Sequence, residues 1–246
     1  MDRIEGAART AGGPVVDSVL RASHGLQSNY AALHSLASQL YTQGSLSSRV
    51  FQQLRALICP FDLLLSHVPA GSRVLDIGCG SGLFLGILAA IDSSASGIGC
   101  DANGRSIALA NAMTERWGFD SRLRFVCLNL RNRLPMDVFD VVVAIDVLHH
   151  LSPSIREATV KEAAGRIRPG GVFIYKDMRA VPFWRATANR VHDLVVRGEL
   201  IRHVALVEVE RWFKQLGFSA QYREAVPRLW YAHELVAFRA PPLRVA

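Results

Sequence analysis

Arg73-Val74-Leu75-Asp76-Ile77-Gly78-Cys79-Gly80-Ser81-Gly82 is the stretch of this 246-residue chain that decides its fold. The strand Val74 to Ile77 is apolar except for Asp76, and it enters a turn with glycine at every second position. A helical stretch from Gly82 to Ile91 follows. Glycines at Gly78, Gly80 and Gly82 let the backbone turn tightly and bring a ligand close to the main chain. The charge of Asp76 favours a cationic or hydroxyl-rich ligand and repels a pyrophosphate. Spacing separates two nucleotide readings. A dinucleotide fingerprint, G-x-G-x-x-G, needs a third glycine at position 83, where Leu83 stands. The chain reads D-x-G-x-G-x-G instead.

The segments that follow repeat a strand-helix alternation. Ser96 to Cys100 is a second strand ending in Asp101-Ala102. A carboxylate about 20 residues beyond a nucleotide-binding turn commonly accepts hydrogen bonds from ribose hydroxyls. Asp101 fits that place for a nicotinamide or an adenosyl cofactor; its other reading is a cap on the helix Asn103 to Trp117. Arg122 to Leu128 is a third strand, followed by Asn129-Leu130. Val138 to Asp146 is a near-continuous apolar run, as in a parallel strand buried on both faces. It leads into Val147-Leu148-His149-His150, and Arg168-Pro169-Gly170-Gly171 then gives a helix stop and a turn into a fifth strand. Phe218 to Glu224 and His233 to Phe238 read as a terminal antiparallel hairpin, with Pro227 in its connection.

As a set, these motifs from Pro69 to Tyr175 resemble the class I S-adenosylmethionine-dependent methyltransferase family. The resemblance implies an α/β fold, with a doubly wound, seven-stranded, mostly parallel Rossmann-like sheet and S-adenosyl-L-methionine as cofactor. It places Asp76, Gly78, Cys79, Gly80, Gly82, Asp101, Ala102, Asn129, Leu130 and Asp146 at the cofactor. Asn129 departs from the acidic residue usual there, though an amide oxygen can still accept from an adenine amino group. Asp146 is expected to shape the methionine end through its backbone.

Around that sheet, residues 1–14 read as a loose tail and 15–68 as an N-terminal helical cap, broken at Gly44-Ser45; the cofactor-binding domain spans 69–246. An insertion at 178–203, after the fifth strand, is expected to build the acceptor site. Phe183, Trp184, Trp230 and Tyr231 offer aromatic walls, and His192-Asp193 and His233-Glu234 further polar groups.

Composition narrows the partner. A net charge of +7 and pI near 9.7 come almost wholly from arginine, dispersed apart from Arg122, Arg124, Arg131 and Arg133, with no basic run interleaved with aromatics. No nucleic-acid partner is therefore expected. No apolar run reaches the ~18 residues of a membrane span, and no secretory signal is read. Cys59, Cys79, Cys100 and Cys127 show no C-x-x-C pair, so neither a disulfide frame nor a metal site is expected, and a reducing, cytoplasmic setting is.

Methyl transfer needs a base only when the acceptor carries a proton that must leave. His149 and His150, just past the fourth strand, are the catalytic candidates: one reaches the acceptor while the other packs, with His150 placed further out. Lys176 and Asp177 form either a surface salt bridge or a hold on a polar acceptor. The leading expectation is an enzyme methylating oxygen, nitrogen or carbon of a small metabolite, aromatic, acyl-type or carrier-linked. Its alternatives are an RNA methyltransferase, or a cofactor-binding partner protein that transfers nothing.

Overall fold

A computed structural model describes residues 30–42, 46–178, 204–228 and 231–243. The tail at 1–14, the cap as far as residue 29 and the insertion from 179 to 203 lie outside the described residues. Strands β1 (Arg73–Ile77), β2 (Ser96–Asp101), β3 (Leu123–Cys127), β4 (Phe139–Ile145), β5 (Ile167–Met178), β6 (Ser219–Arg228) and β7 (Tyr231–Arg239) form one sheet in the order β3-β2-β1-β4-β5-β7-β6. The first five pair in parallel, and β7 runs antiparallel to both β5 and β6. The expected doubly wound, mostly parallel sheet is the one observed.

Helices cover both faces. On one side lie α1 (Tyr30–Leu40), α2 (Leu46–Ile58), α3 (Phe61–Ser66), α4 (Leu83–Ile91) and α5 (Gly104–Trp117). The other side carries α6 (Pro153–Ala164) and α7 (Leu206–Gln215). Every residue of α4 is buried, which explains why its sequence is apolar all round rather than striped: α1 packs over the side that would otherwise face water.

Pro227 sits inside β6, opposite Ala232, rather than in the hairpin connection. The sheet ends at β6, and a proline is tolerated on an edge strand because its missing N–H can face outward. Arg122 is also spoken for. Its guanidinium donates to the carbonyls of Ala89, Asp92 and Ala95 at 2.9–3.1 Å, closing the carboxyl end of α4. One member of the basic grouping thus serves the fold. Among the described residues, no helix is long and apolar enough to cross a membrane.

Candidate cofactor and acceptor site

A cavity of about 830 Å³ opens at the carboxyl ends of β1 to β4, beside the point where strand order reverses between β1 and β4. Open α/β sheets take their ligands there. The turn after β1 is stitched to β2: Gly78 and Cys79 N–H both donate to the Cys100 carbonyl, at 2.8 and 3.0 Å. Gly78 has φ +71°, and a Cβ on it would lie 2.3 Å from Val147 Cγ2, so only glycine lets the β4 loop close against the turn. Gly80, at φ +56°, differs: a Cβ there would meet nothing within 4 Å. The side where its Cβ would stand is open.

Asp101 is oriented by two backbone donors, Gly80 N–H to Oδ2 and Asn103 N–H to Oδ1, each at 2.8 Å. The cap of α5 is Asn103, whose Oδ1 accepts from Arg105 and Ser106 N–H; Asp101 lines the cavity instead. Asn129 stands exposed at the rim, its Oδ1 accepting from Arg131 N–H at 3.0 Å, and Leu130 is buried beside it. Cys79, Ala102, Asp146 and His150 border the same space. Two of the cofactor candidates do not. Gly82 starts α4, and Asp76, only 2% exposed, faces a small recess beneath the cavity with Arg55, Phe61 and Phe84. Burial pushes the Asp76 carboxyl up to about 8, with Arg55 opposing the rise and Asp101 adding to it.

Asp146 adopts φ +54°, left-handed backbone that costs a non-glycine residue about 1–3 kcal/mol. Its carboxylate is held from behind by Lys176, whose Nζ donates to both oxygens at 2.6 and 2.7 Å. From the front, Arg55 approaches to 3.9 Å and donates to the Ile145 carbonyl at 3.4 Å. Burial would raise the Asp146 pKa, but Lys176 and Arg55 outweigh it and hold the carboxyl well below the usual range. Lys176 and Asp177, read as a surface salt bridge or a hold on a polar acceptor, are both buried. β7 covers the end of β5, pairing Leu235 with Lys176 and Glu234 with Asp177.

The two histidines divide. His150 lines the cavity. His149 is buried behind it, hydrogen-bonded through Nδ1 to Asp177 Oδ1, and the two rings pack at 4.1 Å between centroids. Asp146, His149 and Asp177 bring three potential ligand atoms within 4.8 Å of one another. Lys176 already occupies both oxygens of Asp146, however, so the charge a metal ion would neutralise there is met internally.

Sequence reasoning read an N-terminal helical cap but missed which of its residues reach the site. Gln52 and Arg55 on α2 border the cavity, and the Tyr41 hydroxyl donates to the Ser81 carbonyl of the glycine turn. The available signal was Arg55 itself, a charge three residues before Ile58 on one helical face.

These residues fit a ligand with a cationic amino-acid end, a sugar diol and a flat base. Carboxylates at Asp101 and Asp146 suit the first two, and Leu109, Leu130 and Val147 offer apolar walls for the third. Asp101→Ala is expected to weaken cofactor binding tenfold or more by calorimetry, because buried ribose hydroxyls would lose their acceptor. Unchanged affinity would remove Asp101 from the site.

The family described as "Methyltransferase domain" matches residues 48–222. The 27-O-demethylrifamycin SV methyltransferase of Amycolatopsis mediterranei is 31% identical over 172 residues, covering 67% of this chain and 61% of that protein. The tRNA (carboxymethyluridine(34)-5-O)-methyltransferase alkbh8 of Xenopus tropicalis is 35% identical over 108 residues, covering 44% of this chain and 15% of that protein. The chain thus spans less than two thirds of either relative. An O-methyltransferase family protein from Burkholderia thailandensis shares the fold, with TM-score 0.67 at 16% identity over 94% of this chain and 68% of that one. A glycine-rich turn after β1, a carboxylate at the end of β2 that lines the cavity, a β7 reversed beside β5 and a matched domain over most of the chain agree: this protein belongs to the class I S-adenosylmethionine-dependent methyltransferase family.

Proposed function

We propose that this chain methylates oxygen, nitrogen or carbon of a small metabolite, with His150 as the base. The supporting observation is the position of His150 on the wall of the cavity that carries Asp101 and the glycine turn, with His149 packed against its ring and Asp177 fixing His149. S-adenosylmethionine held there would supply an electrophilic sulfonium methyl group, passed to the acceptor as the C–S electron pair goes to sulfur. Where the acceptor carries a proton that must leave, His150 takes it. Alignment of acceptor and methyl group does most of the remaining work. Gln52 and Arg55 bring the N-terminal cap to the cavity. Four free cysteines, three of them buried, support a reducing, cytoplasmic setting.

A small acceptor is favoured over tRNA on coverage and on charge. The antibiotic methyltransferase aligns over 172 residues, the tRNA enzyme over 108, and Arg122 caps a helix rather than facing a phosphate backbone. The test incubates the protein with methyl-tritiated S-adenosylmethionine and cell extract, with Asp101→Ala as blank. Label in small molecules supports the reading; label in RNA overturns it; binding without label points to the non-transferring partner protein. Once the acceptor is identified, His150→Ala should lower kcat about a hundredfold while cofactor affinity stays within about twofold. Unchanged turnover would remove His150 as base.

A further inference from the structure

Three carboxylates converge on Arg55. Its guanidinium lies 3.9 Å from Asp146 and borders both the cavity and the recess that holds Asp76. Asp76, Asp101 and Asp146 all act on its charge. On the far side of Asp146, the buried Lys176 ammonium takes both carboxylate oxygens. By formal charge this is three negatives against two positives. With Asp76 pushed up to about 8, and so mostly protonated at neutral pH, it becomes two against two. A site rich in acids is therefore close to neutral before any ligand arrives.

That balance bears on a choice the reaction imposes. S-adenosylmethionine and its product, S-adenosylhomocysteine, share the adenosine and the amino-acid end. They differ by one methyl group and by the positive charge of the sulfonium. A carboxylate field favours the charged ligand, and a fixed cation in the same field opposes it. Resting on the assignment of this cavity to the cofactor, we propose that Arg55 is a specificity-determining residue: it offsets the carboxylates and so sets how strongly the site prefers S-adenosylmethionine to S-adenosylhomocysteine. A mere contact with the shared amino-acid end would change both affinities alike. A charge effect changes their ratio.

The experiment is calorimetric titration of the full chain with each ligand separately at pH 7, read as Kd for S-adenosylhomocysteine divided by Kd for S-adenosylmethionine. Arg55→Gln is expected to raise that ratio roughly tenfold, since at an effective dielectric of about 20 a unit charge anywhere within about 10 Å of the sulfonium is worth that much. Arg55→Lys keeps the charge and should hold the ratio within about twofold. Asp146→Asn removes a negative charge, keeps a residue type at home at positive φ, and should move the ratio downward. Each ratio is internal to one variant, so a loss of stability cancels. Should Arg55→Gln fail to fold, a falling ratio in Asp146→Asn supports the proposal and an unchanged one overturns it. Equal weakening of both ligands in Arg55→Gln also overturns it, leaving Arg55 as a ligand contact. Failure of wild type to bind either ligand is a separate result: it refutes the cofactor assignment, and the proposal with it.

Discussion

Lys176→Met should destabilise the protein by about 3–5 kcal/mol, the range expected when one partner of a buried ion pair is removed. Lys176 is fully buried, and both its short contacts go to Asp146. Methionine fills similar volume, so the loss is electrostatic rather than a cavity. Asp146 would keep only Arg55, at 3.9 Å, while holding a left-handed backbone that Lys176 now helps to secure. His233 would respond too. Burial and then the Lys176 charge hold its pKa down to about 3; without Lys176 the imidazole becomes easier to protonate beside Asp146. The Asp146 carboxyl has a folded pKa below its unfolded value. Its contribution is therefore complete above the unfolded pKa near 4 and is lost as pH falls through the folded pKa. Urea unfolding between pH 3 and pH 7 should show a shallower acid limb in Lys176→Met than in wild type. The double variant Lys176→Met with Asp146→Asn should recover at least ~1.5 kcal/mol. Strict additivity of the two single changes would show that the pair is not coupled.

How much of this was legible in the sequence depends on the range of the interaction. β1, its glycine turn and α4 are encoded within twenty residues, and the apolar run of β4 marks a strand covered on both faces. Asp101 was legible for the same reason: β2 follows β1 by a standard crossover, so its last residue lands beside the turn. Lys176 and Asp177 were not. Two charges ending an apolar strand normally mean solvent, and only the return of β7 along β5, some sixty residues later, buries them. Once they are buried, each needs a partner, and the β4 loop supplies Asp146 and His149 about thirty residues back. Arg55 was further still from its partners, ninety residues before Ile145. Helical periodicity shows that α2 has an apolar face, and its place before β1 sets it over the cofactor edge, but neither shows which side chains reach the cavity. Pro227 misled because proline is a turn signal first, and its tolerance on an edge strand is visible only once the sheet order is known.

Asp76→Asn should separate stability from ligand binding. The Asp76 carboxyl titrates near 8 in the folded protein and near 4 in an unfolded chain. Between those values the folded state holds a proton that the unfolded state has released, so stability falls as pH rises from about 4 to 8 and levels off above. The accumulated cost at pH 8.5 is on the order of 5 kcal/mol. Asparagine has the same shape and no titration, so the variant should match wild type at pH 4–5 and pull ahead with rising pH. At roughly 2–4 °C per kcal/mol for a chain of this size, its Tm advantage at pH 8.5 should be about 10 °C. Cofactor binding should move the other way. A cationic ligand end draws the proton off Asp76 and gains its charge, so Asp76→Asn should lose tenfold or more in affinity at pH 8. Wild type at pH 7 should release a fraction of a proton on binding, seen as a binding enthalpy that changes with the ionisation enthalpy of the buffer; the variant should not. A pH-independent Tm difference would mean that Asp76 is already ionised in the folded protein. A Tm gain without loss of affinity would place it outside the ligand's reach. The paired result, more stable and less able to bind, is what a carboxylate kept buried for a cation requires.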